Sequence, residues 1–308
     1  MRAAAPILAI DLGKSRCRAA FDDGVNRGNL VDAAGTPGLA APGGDTAALA
    51  AILPLIGRLT SDSPAPSRIA VGAAGAWAAP AAAARLAVLL HQETGAATAV
   101  ASDVVTAHAG ALLGGEGVLL ITGTGAVALG IHAEAAHLVD GWGPDLGDFG
   151  SGSWIGREAV RAVLRARDGL GPDTALTAAL AALIGDDHSP LTWLAGDMPV
   201  ARRLATAAPL VLELAEAGDR EAVRIRDEAV VLLQQTADAA RRAHSHDSGG
   251  IALHGGLTEH PGFRRALTSA LTSTGYAVSD AAGDALRGAT LIAQGLAPLH
   301  ERHVHRAG

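Results

Sequence analysis

The chain has 308 residues and a formal net charge of −7, from 24 basic and 31 acidic side chains. This length fits two domains or one large α/β unit. The acidic balance argues against a nucleic-acid-binding surface and favours a soluble protein. The single cysteine, Cys17, excludes an intramolecular disulfide and an all-cysteine metal site within one chain. No segment supplies the ~20 uninterrupted apolar residues of a membrane span, so we expect a cytoplasmic protein without a membrane partner.

The first half of the chain alternates short strands and helices. Its sequence predicts strands at 7–10, 16–21, 30–32, 69–72 and 97–101, and helices at 46–59, 80–93 and 104–113. Residues 35–44 have the proline and glycine density of a loop. Strands predicted at 117–122 and 127–132 repeat the strand–glycine turn–strand pattern found near Asp11. We therefore expect a weak internal duplication.

The second half contains the most glycine-rich segment, at residues 140–156. It holds six glycines and three aspartates, whereas glycine inside a helix or strand costs about 0.5–1 kcal/mol relative to alanine. Such a composition favours a loop whose backbone approaches a ligand and whose carboxylates face hydroxyls or a cation. Beyond it, the sequence predicts helices at 157–167, 220–244, 261–274 and 286–296 and a strand at 251–254.

Two glycine turns follow buried strands and have the composition of phosphate-binding turns. In the first, Asp11-Leu-Gly-Lys-Ser15, backbone N–H groups can hold a phosphate, the aspartate can hold Mg²⁺ through water, and Lys14 and Arg16 add positive charge. In the second, Thr124 lies between two glycines and offers an N–H group and a hydroxyl. The second turn has neither the lysine nor the following helix of a P-loop. Either turn alone could be an ordinary hairpin, but the pair favours a nucleotide site.

Two further motifs have a structural and a functional interpretation. Asp103 follows a strand and either caps the next helix, worth about 1 kcal/mol, or acts as a general base toward a substrate hydroxyl. The paired glycines after His254 either let a strand and a helix pack closely or let an adenosine lie on the backbone. The residues themselves leave these alternatives open. The histidines at 300, 303 and 305 have metal-compatible spacing, but their terminal position argues against a metal site.

The order of the motifs resembles that of a known family. DLGKSRCRAAF, GAAG, ASDVVTAHAGAL, GVLLITGTGAVALG, GWGPDLGDFGSGSWIG, IALHGGL and DALRGATLIA follow one another over residues 7–296. This order is similar to that of N-acetylglucosamine kinases and BadF/BadG-type ATPases in the actin–hexokinase–sugar kinase superfamily, and most similar to actinobacterial glucosamine kinases. The resemblance implies an α/β fold with two ribonuclease H-like domains and an interdomain cleft for ATP and sugar. The implied domains are 1–107, joined by a closing helix at 286–300, and 108–285.

The resemblance also implies roles for individual residues. Asp103 is the expected catalytic base and a sugar ligand, and Asp11 is expected to position Mg²⁺. The expected ATP-binding residues are Gly13, Lys14, Ser15, Arg16, Gly123, Thr124, Gly125, Gly255 and Gly256, and the expected sugar-binding residues include Gly141, Trp142, Gly143 and Asp148. Two departures concern the sugar: Phe149 stands where the family usually has glutamate, and the 35–44 loop lacks the asparagine of many relatives.

The implied activity is ATP- and Mg²⁺-dependent phosphorylation of the 6-hydroxyl of an amino sugar. D-glucosamine is favoured because Asp140, Asp145 and Asp148 could face an ammonium group; N-acetylglucosamine kinase is the alternative. A function of another class is an ATPase activator of a dehydratase or reductase. Those relatives share a cysteine-ligated iron–sulfur cluster across a dimer with two ligands per chain, so one cysteine argues against it. Retention of both turns and Asp103 argues against a non-catalytic sensor. The expected partners are ATP and the sugar, and a homodimer stays open.

Overall fold

The computed structural model describes residues 7–23, 25–61, 64–133, 135–185, 189–242 and 250–308. The strands are β1 Ile7–Leu12, β2 Arg16–Phe21, β3 Val31–Ala34, β4 Arg68–Ala73, β5 Ala97–Ser102, β6 Gly117–Thr122, β7 Ala126–His132, β8 Ala135–Asp140, β9 Ile251–His254, β10 Val278–Asp280 and β11 Val304–Ala307. The helices are α1 Gly44–Thr60, α2 Pro80–Thr94, α3 Asp103–Ala111, α4 Gly152–Arg167, α5 Leu176–Ile184, α6 Pro190–Leu194, α7 Val200–Ala205, α8 Ala208–Glu216, α9 Arg220–Arg242, α10 Pro261–Ser273 and α11 Ala285–Gln294.

Contacts within the chain define two compact units. The first comprises Met1–Glu116, Ile131–Glu134 and Ala281–Gly308, and the second comprises Gly117–Gly130 and Ala135–Asp280. The resemblance implies a different boundary, after residue 107, which stays a prediction. Helix α3 lies across that predicted boundary, and it packs against α11 and β4 of the first unit.

The first unit is built on a six-stranded sheet in the order β11-β5-β4-β1-β2-β3. Strands β1, β4 and β5 are parallel, so their carboxyl ends meet at one edge of the sheet. Alternate residues along a strand point to opposite faces. Leu8, Ile10 and Leu12 of β1 therefore join the core beneath α1 and α2, whereas the small Ala9 lies on the opposite face.

Glycines let α3 and α11 pack at backbone distance in this unit. A Cβ at Gly288 would lie 1.8 Å from Thr106 O, and one at Gly110 would lie 2.0 Å from Asp284 O. A Cβ at Gly72 of β4 would lie 2.1 Å from Thr106 Oγ1. These separations are far below ordinary contact, so α3 reaches its position over the sheet only because these residues have no side chain.

The second unit is built on a five-stranded sheet in the order β10-β9-β6-β7-β8. Strand β9 runs parallel to β6 and to β10. Helices α4, α8, α9 and α10 supply most of the helical part of its core, which also contains Leu120, Leu253 and the aromatic residues Trp154, Trp193, Phe263 and Tyr276. In the described part of the chain, no helix is long and apolar enough to cross a membrane.

Most predicted elements are confirmed, and the strands at 16–21, 117–122 and 251–254 have the predicted bounds. The prediction of a loop over the whole of 140–156 was wrong at its end, because α4 already begins at Gly152. Ser151 caps this helix by accepting a hydrogen bond from Trp154 N at 3.2 Å. Gly156 lies inside this helix. A side chain would not fit there, because a Cβ would be 1.9 Å from Leu204 O. The last predicted residues of the 220–244 helix, 243 and 244, lie outside the described residues.

Several elements were not predicted. Strands β8, β10 and β11 and helices α5 to α8 are absent from the sequence-based prediction. The C-terminal histidine segment is ordered: a 3₁₀ turn at Pro298–His303 precedes β11, and His300 is buried against His108, with a ring-nitrogen separation of 2.9 Å. Within the described ranges, no group of three or more His, Cys, Asp or Glu side chains could hold a metal ion.

Candidate active site

The turn between β1 and β2 places Asp11 opposite Arg18. Gly13 N donates to Arg16 O at 2.9 Å and closes the turn. The register that follows pairs Asp11 with Arg18. Arg18 donates from Nε and Nη2 to Asp11 Oδ2 at 3.2 and 2.6 Å. Arg16, one of the predicted ATP-binding residues, forms an exposed ion pair with Asp32 at 3.3 Å.

Sequence analysis missed Arg18, although the sequence contains a signal for it. A turn that joins Leu12 to Cys17 across the hairpin necessarily puts the residue before Leu12 opposite the residue after Cys17. Side chains of directly paired residues lie on the same face of a sheet. A cation opposite the candidate metal ligand could therefore have been found from the hairpin register alone.

The 35–44 loop lies directly against this turn. A Cβ at Gly35 would be 2.2 Å from Gly13 O, and a Cβ at Gly38 would be 3.7 Å from Lys14 Cε. Leu39 N donates to Ala74 O at 2.8 Å, which ties the loop to the end of β4. The loop, the β1–β2 turn and the end of β4 consequently form one surface at the carboxyl edge of the sheet.

Asp103 lies at the same edge, as the first residue of α3 after β5. Its Oδ1 accepts hydrogen bonds from Ser102 Oγ at 3.0 Å and Val104 N at 2.9 Å, while Ser102 makes no capping bond. Burial raises the pKa of Asp103, as does the negative charge of Asp11, against the lowering effect of those hydrogen bonds and of Lys14. Asp11, Lys14 and Asp103 thus lie within electrostatic reach of one another, and a carboxylate with a raised pKa suits a general base.

Asp11 fits a magnesium ion that is held mainly by a nucleotide. Mg²⁺ usually binds one or two protein carboxylates together with substrate phosphates and waters. Arg18 occupies Oδ2 of Asp11 with two donors, so Oδ1 is the oxygen that would meet the ion. A cage built only of protein side chains is not found among the described residues.

Cys17 does not fit the role of a cluster ligand. Its side chain is completely buried in β2. Burial, with a smaller contribution from the charge of Asp11, raises the pKa of its thiol to about 12. Since metals bind the thiolate rather than the thiol, this environment disfavours ligation.

In the second unit, the turn between β6 and β7 is held by backbone hydrogen bonds. Gly123 N donates to Gly125 O at 2.9 Å, and the first residues of α4 complete the arrangement: Gly152 N donates to Gly123 O at 2.8 Å and Ser153 N to Thr124 O at 3.1 Å. The N-terminal end of α4 thereby fixes the predicted second phosphate turn. The positive end of a helix dipole lies beside it, which suits an anion.

The predicted adenosine motif lies next to this turn. The parallel register pairs Ile121 with His254, so Gly255 and Gly256 follow β9 beside the end of β6. Gly255 has φ of +112°, and a Cβ there would lie 2.4 Å from Thr122 O. Gly256 is open, since no atom lies within 4 Å of the position of its Cβ. Its open backbone can be approached by a ligand.

The predicted acceptor loop joins the same turn through Asp148. The side chain of Asp148 is buried, and its Oδ1 accepts from Ala126 N at 3.3 Å. A Cβ at Gly125 would lie 2.9 Å from Asp148 Oδ2. Gly141 and Gly143 adopt φ of +77° and +87° on either side of Trp142, whose side chain is 73% exposed. Four of the five predicted sugar-binding residues therefore belong to one loop beside the phosphate turn, whereas the fifth, Asp103, lies in the first unit.

A family model decides the family of this chain. The model that describes the BadF/BadG/BcrA/BcrD ATPase family matches residues 70–293. The chain belongs to this family. The match includes Asp103, the second phosphate turn, the acceptor loop and the paired glycines after β9.

Relatives of this ATPase family member include amino-sugar kinases. It is 37% identical over 107 residues to an N-acetyl-D-glucosamine kinase of Dictyostelium discoideum, an alignment that covers 33% of this chain and 34% of the relative. It is 31% identical over 137 residues to the glucosamine kinase GspK of Vibrio cholerae, which covers 44% of each chain. The aligned segments thus span between a third and a half of these curated relatives.

Solved structures support the two-unit α/β fold. A candidate N-acetylglucosamine kinase from Chromobacterium violaceum superposes with a TM-score of 0.74 at 24% identity, covering 94% of this chain and 99% of the other. A ROK-family glucokinase from Streptomyces griseus, solved with glucose and AMPPNP, gives a TM-score of 0.58 at 16% identity, with coverage of 94% and 99%. The predicted fold class is confirmed.

Proposed function

We propose that this chain is an ATP-dependent amino-sugar kinase that phosphorylates the 6-hydroxyl of its acceptor. The observation that carries this proposal is the cluster of Asp103, Asp11 and Lys14 at the carboxyl edge of the first sheet. Phosphoryl transfer needs a base for the acceptor hydroxyl, cations for the phosphates and little covalent chemistry from the protein. The cluster provides these groups in one place.

Each group has a defined task in this proposal. Asp103 accepts the proton of the attacking hydroxyl at its carboxylate; Ser102 Oγ and Val104 N, which donate to Oδ1, orient that carboxylate. Lys14 would neutralise phosphate charge, and Asp11, whose Oδ2 accepts from Arg18, would hold Mg²⁺ through Oδ1. When bound, Mg²⁺ would supply positive charge to the phosphate groups of the nucleotide. The N–H group and the hydroxyl of Thr124, in the turn at Gly123–Gly125, and the open backbone at Gly256 are proposed to hold the rest of the nucleotide.

The identity of the amino sugar depends on the carboxylates of the acceptor loop. D-glucosamine is the acceptor favoured by three aspartates, and Asp145 remains exposed for an ammonium group. The other two are engaged with the backbone: Asp140 with Asp148 N and Phe149 N, and Asp148 with Ala126 N. This engagement supports N-acetylglucosamine, whose amide carries no charge, as the second candidate.

A coupled assay of ADP release with ATP, Mg²⁺ and single sugars tests the proposal. We expect release with glucosamine or N-acetylglucosamine and none with the 6-deoxy form of the preferred sugar. A clear preference for the acetylated sugar would remove glucosamine as the acceptor. ATP turnover that is equal with and without any sugar would instead favour the activator class of function.

A further inference from the structure

The side chain of Asp140 joins the two ends of the segment between β8 and Asp148. Asp140 is the last residue of β8, and its Oδ1 and Oδ2 accept hydrogen bonds from Asp148 N at 2.7 Å and Phe149 N at 2.9 Å. A Cβ at Gly147 would lie 2.2 Å from Asp140 Oδ1, so the carboxylate packs directly on the backbone it binds. Hydrogen bonds to an ionised acceptor are roughly twice as strong as neutral ones.

These bonds hold a backbone conformation that few non-glycine residues adopt. Asp140 and Asp148 both have positive φ, +64° and +56°. Aspartate tolerates this left-handed region better than most residues with a side chain. In this conformation the buried carboxylate of Asp148 reaches Ala126 N and lies against Gly125. Asp140 therefore fixes the residue whose side chain contacts the phosphate turn.

Exposed apolar side chains lie in the same loop. The side chains of Trp142, Leu146 and Phe149 are 73%, 77% and 46% exposed, and all three lie between Asp140 and the start of α4. Asp140 binds the N–H group of Phe149 itself. Its hydrogen bonds thus hold the backbone of Phe149, next to the buried Asp148.

Three hydrogen bonds of the phosphate turn form without Asp140. The carbonyls of the turn accept from Gly152 N and Ser153 N of α4, and Gly123 N bonds to Gly125 O within the turn. None of these three bonds involves the acceptor loop. A change at Asp140 should consequently disturb the loop much more than the turn.

We propose that Asp140 is a positioning residue for the acceptor sugar: it holds Asp148 and Phe149 in place through their backbone N–H groups. This inference rests on the proposed function, since that function assigns the loop to the acceptor. Asp140 acts through the loop and does not touch the reacting atoms.

The variant Asp140→Asn tests this proposal, because the NH₂ group that replaces one carboxylate oxygen cannot accept a hydrogen bond from a backbone N–H group, whereas the remaining carbonyl oxygen still can. Asp173→Asn is the control. Asp173 is an exposed aspartate in the same unit, so this control makes the same change of charge outside the loop. If charge alone mattered, the two variants would behave alike.

Hydrogen exchange of the substrate-free protein gives a readout that is independent of activity. In Asp140→Asn we expect faster exchange in a peptide covering 141–151, because the amides of Asp148 and Phe149 lose protection. In Asp173→Asn we expect this peptide to exchange at the wild-type rate. Exchange of this peptide at the wild-type rate in Asp140→Asn would overturn the proposal.

The kinetic test compares the two substrates. We expect the KM of Asp140→Asn for the sugar to rise about tenfold, as for the loss of one charge-assisted hydrogen bond, with the KM for ATP within about twofold because the bonds of the phosphate turn remain. An unchanged sugar KM, or an equal rise in both KM values, would overturn the positioning role. If the wild-type protein phosphorylates no sugar, the proposed function fails, whereas the exchange result still decides whether Asp140 orders the loop.

Discussion

Substitution of the two glycines after β9 gives the sharpest test of how closely the backbones approach there. In Gly255→Ala the new Cβ would lie 2.4 Å from Thr122 O, 2.7 Å from Thr122 C and 3.1 Å from Thr122 N. All three are backbone atoms of a strand inside the sheet and cannot move aside as a side-chain end can. The residue must also keep φ of +112°, a value that residues with a side chain rarely adopt.

The expected cost follows from these two effects. Backbone strain of this kind costs about 1–3 kcal/mol, and overpacking costs about 1–3 kcal/mol. Gly255→Ala should therefore lower the free energy of unfolding by about 2–6 kcal/mol, a large part of the ~5–15 kcal/mol of an ordinary domain. Gly256→Ala is the matched control, because nothing lies within 4 Å of its Cβ position.

Urea denaturation followed by circular dichroism measures the difference. Gly256→Ala should unfold near the wild-type midpoint, and it should raise the KM for ATP if the nucleotide approaches this backbone as proposed. Gly255→Ala should unfold at a clearly lower midpoint. Equal midpoints for Gly255→Ala and the wild type would refute the argument that Gly255 is required by the contact with Thr122.

Two further predictions concern ion pairs of the first unit. Arg18→Gln removes both donors to Asp11 Oδ2 and should raise the KM for ATP in steady-state kinetics; a wild-type KM would argue against a positioning role for Arg18. Asp284→Ala removes the cap of α11 and the paired bonds from Arg27 at 2.8 and 2.7 Å, so the free energy of unfolding should fall by about 1–2 kcal/mol, and the urea midpoint should fall with it. Burial acts to raise the pKa of Asp284, but its hydrogen bonds with Arg27 and Arg287 N lower it overall. Its stabilisation is then present above the ordinary aspartate pKa and lost as the pH falls, and a deficit of Asp284→Ala that stays constant on acidification would contradict this.

The parts of the fold that follow local patterns could be predicted from the sequence. Apolar strands next to glycine turns have a simple signature, which is why β2, β6 and β9 have the predicted bounds. Strands β10 and β11 have three and four residues and lie at sheet edges. Their pairing with distant strands decides their conformation, and local sequence carries little of that information.

The start of α4 and the role of Asp140 could not be predicted for a related reason. The glycines at 152 and 156 are unfavourable for a helix in isolation, and the helix forms because Ser151 caps it and Leu204 packs against Gly156. The hydrogen bonds of Asp140 join residues eight and nine positions away in an irregular loop. The composition indicated a ligand-binding loop. Only the folded structure shows that the carboxylate of Asp140 binds the backbone of the loop.

The proposed role of Asp103 is the centre of this account. Because burial raises its pKa, the carboxyl group stabilises the fold at low pH, and that stabilisation is lost as the pH rises through the raised pKa. At neutral pH the neutral variant Asp103→Asn should therefore unfold at the wild-type midpoint or above it. Lost activity could then not be ascribed to unfolding.

The most direct test is sugar-dependent ADP release by Asp103→Asn, measured beside the wild type with saturating ATP and the preferred amino sugar. Loss of a general base typically slows a reaction by about 10²–10⁴-fold. We predict a loss of this size in kcat with a urea midpoint that is not lowered. Wild-type turnover by a folded Asp103→Asn would contradict the assignment of Asp103 as the base.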